Sequence, residues 1–137
     1  MMRKALFLFA LMLSLTLVAC GGGVSYPYEY DNGTVTSVET SGDNTIMHIE
    51  VDGYAPVPIK VKITLNAAGT ITAFEVTEHM ETFVPGGQLI NNEDFINSLI
   101  ANQTNLSAVD IVAGATLTAE ALIDAVEVAL THFDKIN

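Results

Sequence analysis

One cysteine, no tryptophan and only five lysines and arginines are found among 137 residues, against sixteen aspartates and glutamates. Each scarcity excludes something. A single cysteine, Cys20, cannot form an intrachain disulfide or a thiolate metal cluster. The cations are too few and too scattered for a basic patch, so neither nucleic acid nor an anionic membrane surface is an expected partner. No apolar run is long enough to cross a bilayer comfortably; the longest, Ala5 to Val18, is broken only by Ser14 and Thr16. Internal repeats and low-complexity tracts are absent, as is any sign of a second domain. No Ser-His-Asp arrangement is visible, and no catalytic residue is assigned.

The apolar run follows Arg3 and Lys4 and ends in Leu17-Val18-Ala19-Cys20. A positive start, a short apolar stretch and small residues before the break are the pattern of a secretory leader. The final four residues resemble the lipobox of bacterial lipoproteins. That resemblance implies a leader over 1–19 and a lipidated Cys20 as the first mature residue. It also implies a protein held on the extracytoplasmic side of the cell membrane. Loss of Arg3 and Lys4 leaves Lys60, Lys62 and Lys135 against all sixteen acids, a formal charge of −13. Attachment must then come from lipid, which multiple acyl chains can provide without help from charge. Residues 20–30, beginning with Gly21-Gly22-Gly23, are expected to be the lipidated cysteine and a flexible spacer. Tyr26, Tyr28 and Tyr30 within it read as a docking strand or surface contacts. The domain proper is expected over 31–137.

From Gly33 to about Met80 the pattern has the period of strands. Val35, Ser37 and Glu39 alternate weakly, as at a sheet edge. Ile46 to Val51 alternate more clearly after the turn Gly42-Asp43-Asn44. Ile59, Val61, Ile63 and Leu65 interleave with Lys60, Lys62 and Thr64, a half-buried strand with its lysines toward water. Asn66-Ala67-Ala68-Gly69 closes a hairpin into Thr70 to Val76. In the second half the period changes. Asn92 is a good N-cap for a short helix carrying Phe95, Ile96, Leu99 and Ile100 and ending near Asn102. A longer amphipathic helix follows, with Ala119, Leu122, Ile123, Val126, Leu130 and Phe133 on one face. Thr118, just before this stripe, is expected to cap it. The fold class is α+β: an antiparallel sheet with hairpins, then two helices. The roughly 118 mature residues suffice for one sizeable core.

Directly before the long helix stands Asp110-Ile-Val-Ala113-Gly114-Ala115-Thr116. Small residues let backbone approach a ligand, and a helix start offers free N–H groups suited to a phosphate. This stretch resembles the flavinylation motif of FMN-binding domains, which has Asp, two variable residues, Ser or Thr, then Gly-Ala-Thr. The family includes the C subunit of the sodium-translocating NADH:quinone oxidoreductase and the G subunit of its ferredoxin-linked relative. The resemblance implies FMN taken from FAD by a flavin transferase and joined to Thr116 by a phosphoester bond. It makes Asp110, Ala113, Gly114, Ala115, Leu117 and Thr118 the cofactor-binding stretch, with backbone N–H groups of Gly114 to Leu117 holding the phosphate. Ala113 departs from the pattern, replacing the usual hydroxyl residue. A looser likeness covers Glu81, Thr82, Pro85 and Gly86, where the family has a Glu-Thr-Pro-Gly loop enclosing the flavin; this implies cofactor contact at Glu81, Thr82 and Gly86.

Read from the residues alone, Glu78, His79 and Glu81 are a solvated strand end and not a metal site, and His48 and His132 are structural. The resemblance implies a membrane-anchored electron carrier with membrane-bound redox partners, and not a stand-alone enzyme. Two alternatives remain at this level: a flavin-free lipoprotein that binds a ligand or partner, and a flavin enzyme acting on a small substrate.

Overall fold

A computed structural model describes residues 24–81, 87–111 and 115–137. Its first half is a five-stranded antiparallel meander in which every strand pairs with its neighbours in the chain. The strands are β1 (Tyr28–Tyr30), β2 (Gly33–Ser41), β3 (Asn44–Val51), β4 (Ile59–Leu65) and β5 (Ile71–Glu78). The second half is helical: one turn α1 (Gln88–Ile90), then α2 (Glu93–Ala101), a 3-10 turn at Leu106–Ala108, and the long α3 (Thr116–Ile136). The chain is therefore α+β, in the expected order.

Alternation along the strands sorts the side chains. Met47, Ile49 and Val51, then Ile59, Val61, Ile63 and Leu65, then Ile71 and Phe74 face one side and are buried. Lys60, Lys62, Thr64 and Glu75 face the other side, which no described element covers. Helix α3 lies on the buried side across β2, β3 and β4, while α2 packs on β5. Ala119, Leu122 and Val126 of the expected stripe are buried, joined by Ala121, Ala125, Val128 and Ala129. The alanines let the helix lie close on the branched side chains of the strands, which is how close packing is reached here.

The ends of these elements follow local chemistry. Asn92 accepts hydrogen bonds from the N–H groups of Asp94 and Phe95 and so caps α2. The β4–β5 hairpin turns at Gly69, whose φ of 84° is left-handed, with the Asn66 side chain accepting from Ala68 and Thr70. The weak alternation of β2 also has its cause. Only Gly33–Val35 has a partner in β1, so the rest of β2 is paired on one side only among the described residues.

The tyrosines that follow the glycines supply the expected docking strand and lie on the domain. Tyr28–Tyr30 is strand β1, and Val24, Tyr26, Tyr28 and Tyr30 pack against the core. The docking residue is His132, fully buried on α3. Its two ring nitrogens lie 2.8 Å from the hydroxyls of Tyr26 and Tyr30. A neutral imidazole satisfies both tyrosines, donating from one nitrogen and accepting at the other. Burial, together with the nearby Lys135 charge, holds its pKa down at about 4. Lys135 in turn sits over the Tyr28 ring, 5.1 Å from its centre.

Candidate functional site

Beyond β3 the loop 52–58 must find acceptors for its backbone N–H groups, two of its residues being the prolines Pro56 and Pro58. It finds them in Glu81, just past the end of β5. The N–H of Tyr54 donates to Oε1 of Glu81 at 2.9 Å, and the N–H of Ala55 donates to Oε2 at 3.0 Å. A third donor comes from the first turn of α3, where the Thr118 hydroxyl gives its proton to Oε1 at 2.6 Å. One carboxylate thus ties together a loop, a strand end and a helix start.

Glu81 is only 7% exposed and Thr118 only 1%. Burial alone would raise the pKa of this carboxyl. The hydrogen bonds from Thr118, Tyr54 and Ala55 outweigh it and hold Glu81 below its ordinary range. The group is therefore an ion with three donors in place. The loop must pass close to it. A Cβ at Gly53 would lie 2.8 Å from Oε1 of Glu81 and 2.7 Å from Cδ1 of Ile59, so only glycine fits.

Two expectations fail at this knot. Glu81 is not part of a solvated strand end, because the loop behind it supplies donors and excludes water. Thr118 is not the cap of the long helix. That helix begins two residues earlier, at Thr116, with Ala115 in the N-cap position and no side-chain cap. Thr118 lies inside the first turn and donates to Glu81 instead of accepting from the helix backbone.

Thr116 differs from Thr118 in each respect that matters for modification. It is exposed, and its side chain makes no hydrogen bond among the described residues. It is the first helical residue, and the first turn contains no acidic side chain. No side chain caps this helix start among the described residues, which is the setting an anion requires. Leu117 beside it is exposed, Ala115 is buried in the core, and Asp110 is exposed. Thr82, Gly86, Ala113, Gly114, Cys20 and the leader over 1–19 lie outside the described residues.

Among the described residues no group of three His, Cys, Asp or Glu side chains could hold a metal ion. His79 accepts from the N–H of Glu81 through Nδ1 at 3.1 Å. His48 pairs with Glu39 at 2.8 Å on the open face of the sheet. What sequence reasoning missed is the partner set of Glu81: Gly53, Tyr54, Ala55 and Thr118. Asp52-Gly53 shows in the sequence only as a bend, and nothing in it points toward Glu81.

With this geometry in view, a family model described as FMN-binding domain matches residues 53–131. The match begins in the loop that clasps Glu81 and ends within α3. No curated protein and no solved structure matches the chain.

Proposed function

Since the chain belongs to the FMN-binding domain family and FMN is its cofactor, we propose that it carries FMN covalently on Thr116 as a lipid-anchored electron-transfer protein outside the cytoplasm. The observation that carries the choice of residue is the contrast between two threonines on one helical turn. Thr118 is buried with its hydroxyl committed to Glu81. Thr116 is exposed at the helix start, its hydroxyl without a hydrogen bond among the described residues.

The residues fit a phosphate there. Free N–H groups and the positive end of a 21-residue helix offset the charge of a phosphodiester, in a chain with few cations to spare. No side chain among the described residues hydrogen-bonds the Thr116 hydroxyl, so a separate flavin transferase must take its proton. In that step the Thr116 oxygen attacks the FMN-side phosphorus of FAD. The bond to the bridging oxygen breaks, AMP leaves, and FMN remains esterified to the threonine. When bound, the flavin supplies the redox chemistry. The chain contributes position: Glu81 fixes the first turn of α3 against loop 52–58, which keeps the acceptor threonine on a rigid support.

Anchoring through Cys20 is the matching part of the proposal. No helix among the described residues is long and apolar enough to cross a membrane, and the Leu-Val-Ala-Cys ending supports lipid attachment. A tethered cofactor cannot diffuse away outside the cytoplasm, and the tether keeps its local concentration high.

Production of the full chain beside a flavin transferase tests the reading. The protein should gain the mass of FMN less one water, stay yellow after denaturation, and yield the modified peptide at Thr116. Thr116→Val should be folded and colourless, and Thr116→Ser should keep some flavin. FMN mapped to another residue would overturn the assignment, as would a chain that takes none.

A further inference from the structure

Exposed apolar residues scattered singly on a surface need no explanation, but their gathering does. Among the described residues five large apolar side chains are exposed: Tyr54, Val57, Met80, Ile111 and Leu117. Three are immediate to the Glu81 knot. The N–H of Tyr54 is one of its donors, Met80 precedes Glu81, and Leu117 precedes Thr118. Their exposures are 67%, 66% and 55%. Val57 lies on the same loop as Tyr54, and Ile111 on the approach to α3.

Charge at this pole has one sign. Asp52, Asp110 and Glu120 are exposed on the same three segments, which hold no lysine or arginine. The nearest cation, Lys60, is engaged by Glu78 at 3.4 Å. Lys62 lies on the open sheet face and Lys135 over Tyr28. Exposed apolar side chains with exposed carboxylates on the same segments are the complement of a protein that offers an apolar patch beside lysine and arginine.

We propose that the pole formed by loop 52–58, the end of β5 and the first turn of α3 is the docking surface for a basic redox protein. The inference rests on Thr116 as the seat of the flavin, since docking there brings the partner to the cofactor. The carboxylates steer the approach and the apolar side chains make the close contact. Such a complex forms fast and loosens as salt screens the charges over a Debye length.

Ferric cytochrome c, a basic haem protein, is the probe. Amide NMR spectra of the full chain in a zwitterionic detergent, with and without flavin, would be followed as it is added. Shifts should concentrate at 52–57, 78–81, 110–111 and 116–120 in both forms, and affinity should fall at least tenfold between roughly 20 and 300 mM salt. The variant Asp52→Lys/Asp110→Lys/Glu120→Lys should bind at least tenfold more weakly. The variant Glu29→Lys/Asp43→Lys/Asp134→Lys changes the net charge equally and should bind almost as the parent does. Equal losses in the two variants would reduce the effect to net charge and overturn the proposal, as would shifts centred on the open sheet face. Failure to take flavin would appear as a colourless protein, separately from any result for docking.

Discussion

Two threonines one residue apart on the same helical turn carry opposite duties, and a buried carboxylate decides between them. Thr118 gives its proton to Glu81, so its loss strands an ion that has few other donors. Thr118→Val keeps the shape and should cost about 1–3 kcal/mol, read as a lower urea midpoint with an unchanged slope. Full stability in this variant would mean that the 2.6 Å bond contributes nothing. Gly53→Ala tests the same place from the other side. The added methyl would press on Glu81 and Ile59, and Glu81 is held by three donors and cannot swing away. A loss of about 1–3 kcal/mol is expected, with a crystal structure or NMR showing the loop displaced. Neither effect is legible in the chain. Thr118 and Glu81 stand 37 positions apart, and a polar residue ahead of an apolar stripe has the appearance of a cap. The helix starts earlier because Ala115 and Thr116 can enter it without any side-chain cap, leaving the first N–H groups free. The proposal of Thr116 rests on motif order, which is a local property, but its place as the first residue of the helix, and not ahead of it, was not legible.

At the scale of elements the sequence was most informative where burial is one-sided. The β3 and β4 alternations match the observed faces residue by residue, and Asn92 caps α2 as its sequence position implies. Asn92→Ala should therefore lower stability by about 1 kcal/mol, measurable by thermal unfolding. The buried face of α3 is wider than its apolar stripe, since alanine fits a buried or an exposed position equally well. His132 was legible only as structural; its two tyrosine partners come from the other end of the chain. That docking makes a pH prediction. The folded pKa of His132, about 4, lies below the ordinary 6.5. Between those values the unfolded chain binds a proton that the native state refuses, so stability rises with pH and declines as pH falls from 6.5 toward 4. The decline attributable to this histidine is no more than about 3 kcal/mol. The loss from Glu81, whose pKa is depressed, comes at lower pH, as it gains its proton. His132→Phe should be less stable at pH 7, because two tyrosine hydroxyls lose their partner, yet flatter in melting temperature over that window. An unchanged slope would rule out His132 as its source.

Across the whole molecule, α3 separates two places that matter. Its 21 residues make a rod about 30 Å long, and Thr116 and His132 are separated along it by about 24 Å. The chain leading from Cys20 arrives at the His132 end, because Tyr26 and Tyr30 bond to that ring. If Cys20 carries the lipid, Tyr26 lies six positions further on, at most about 20 Å away when the chain is extended. The membrane attachment is thus tied to one end of α3 and the proposed flavin to the other. A net charge of −11 or lower repels the domain from anionic lipid in any orientation, so the tether alone sets which end faces the bilayer. Flavin-loaded, lipidated protein on vesicles of mixed zwitterionic and anionic lipid should therefore hold its cofactor away from the bilayer. Iodide in the aqueous phase should quench the flavin fluorescence nearly as well as it does for the protein in detergent. Nitroxide-labelled lipids, which quench only over short distances, should have little effect. The reverse pattern would show the first turn of α3 lying against the lipid, and the docking pole would then be closed to a soluble basic partner.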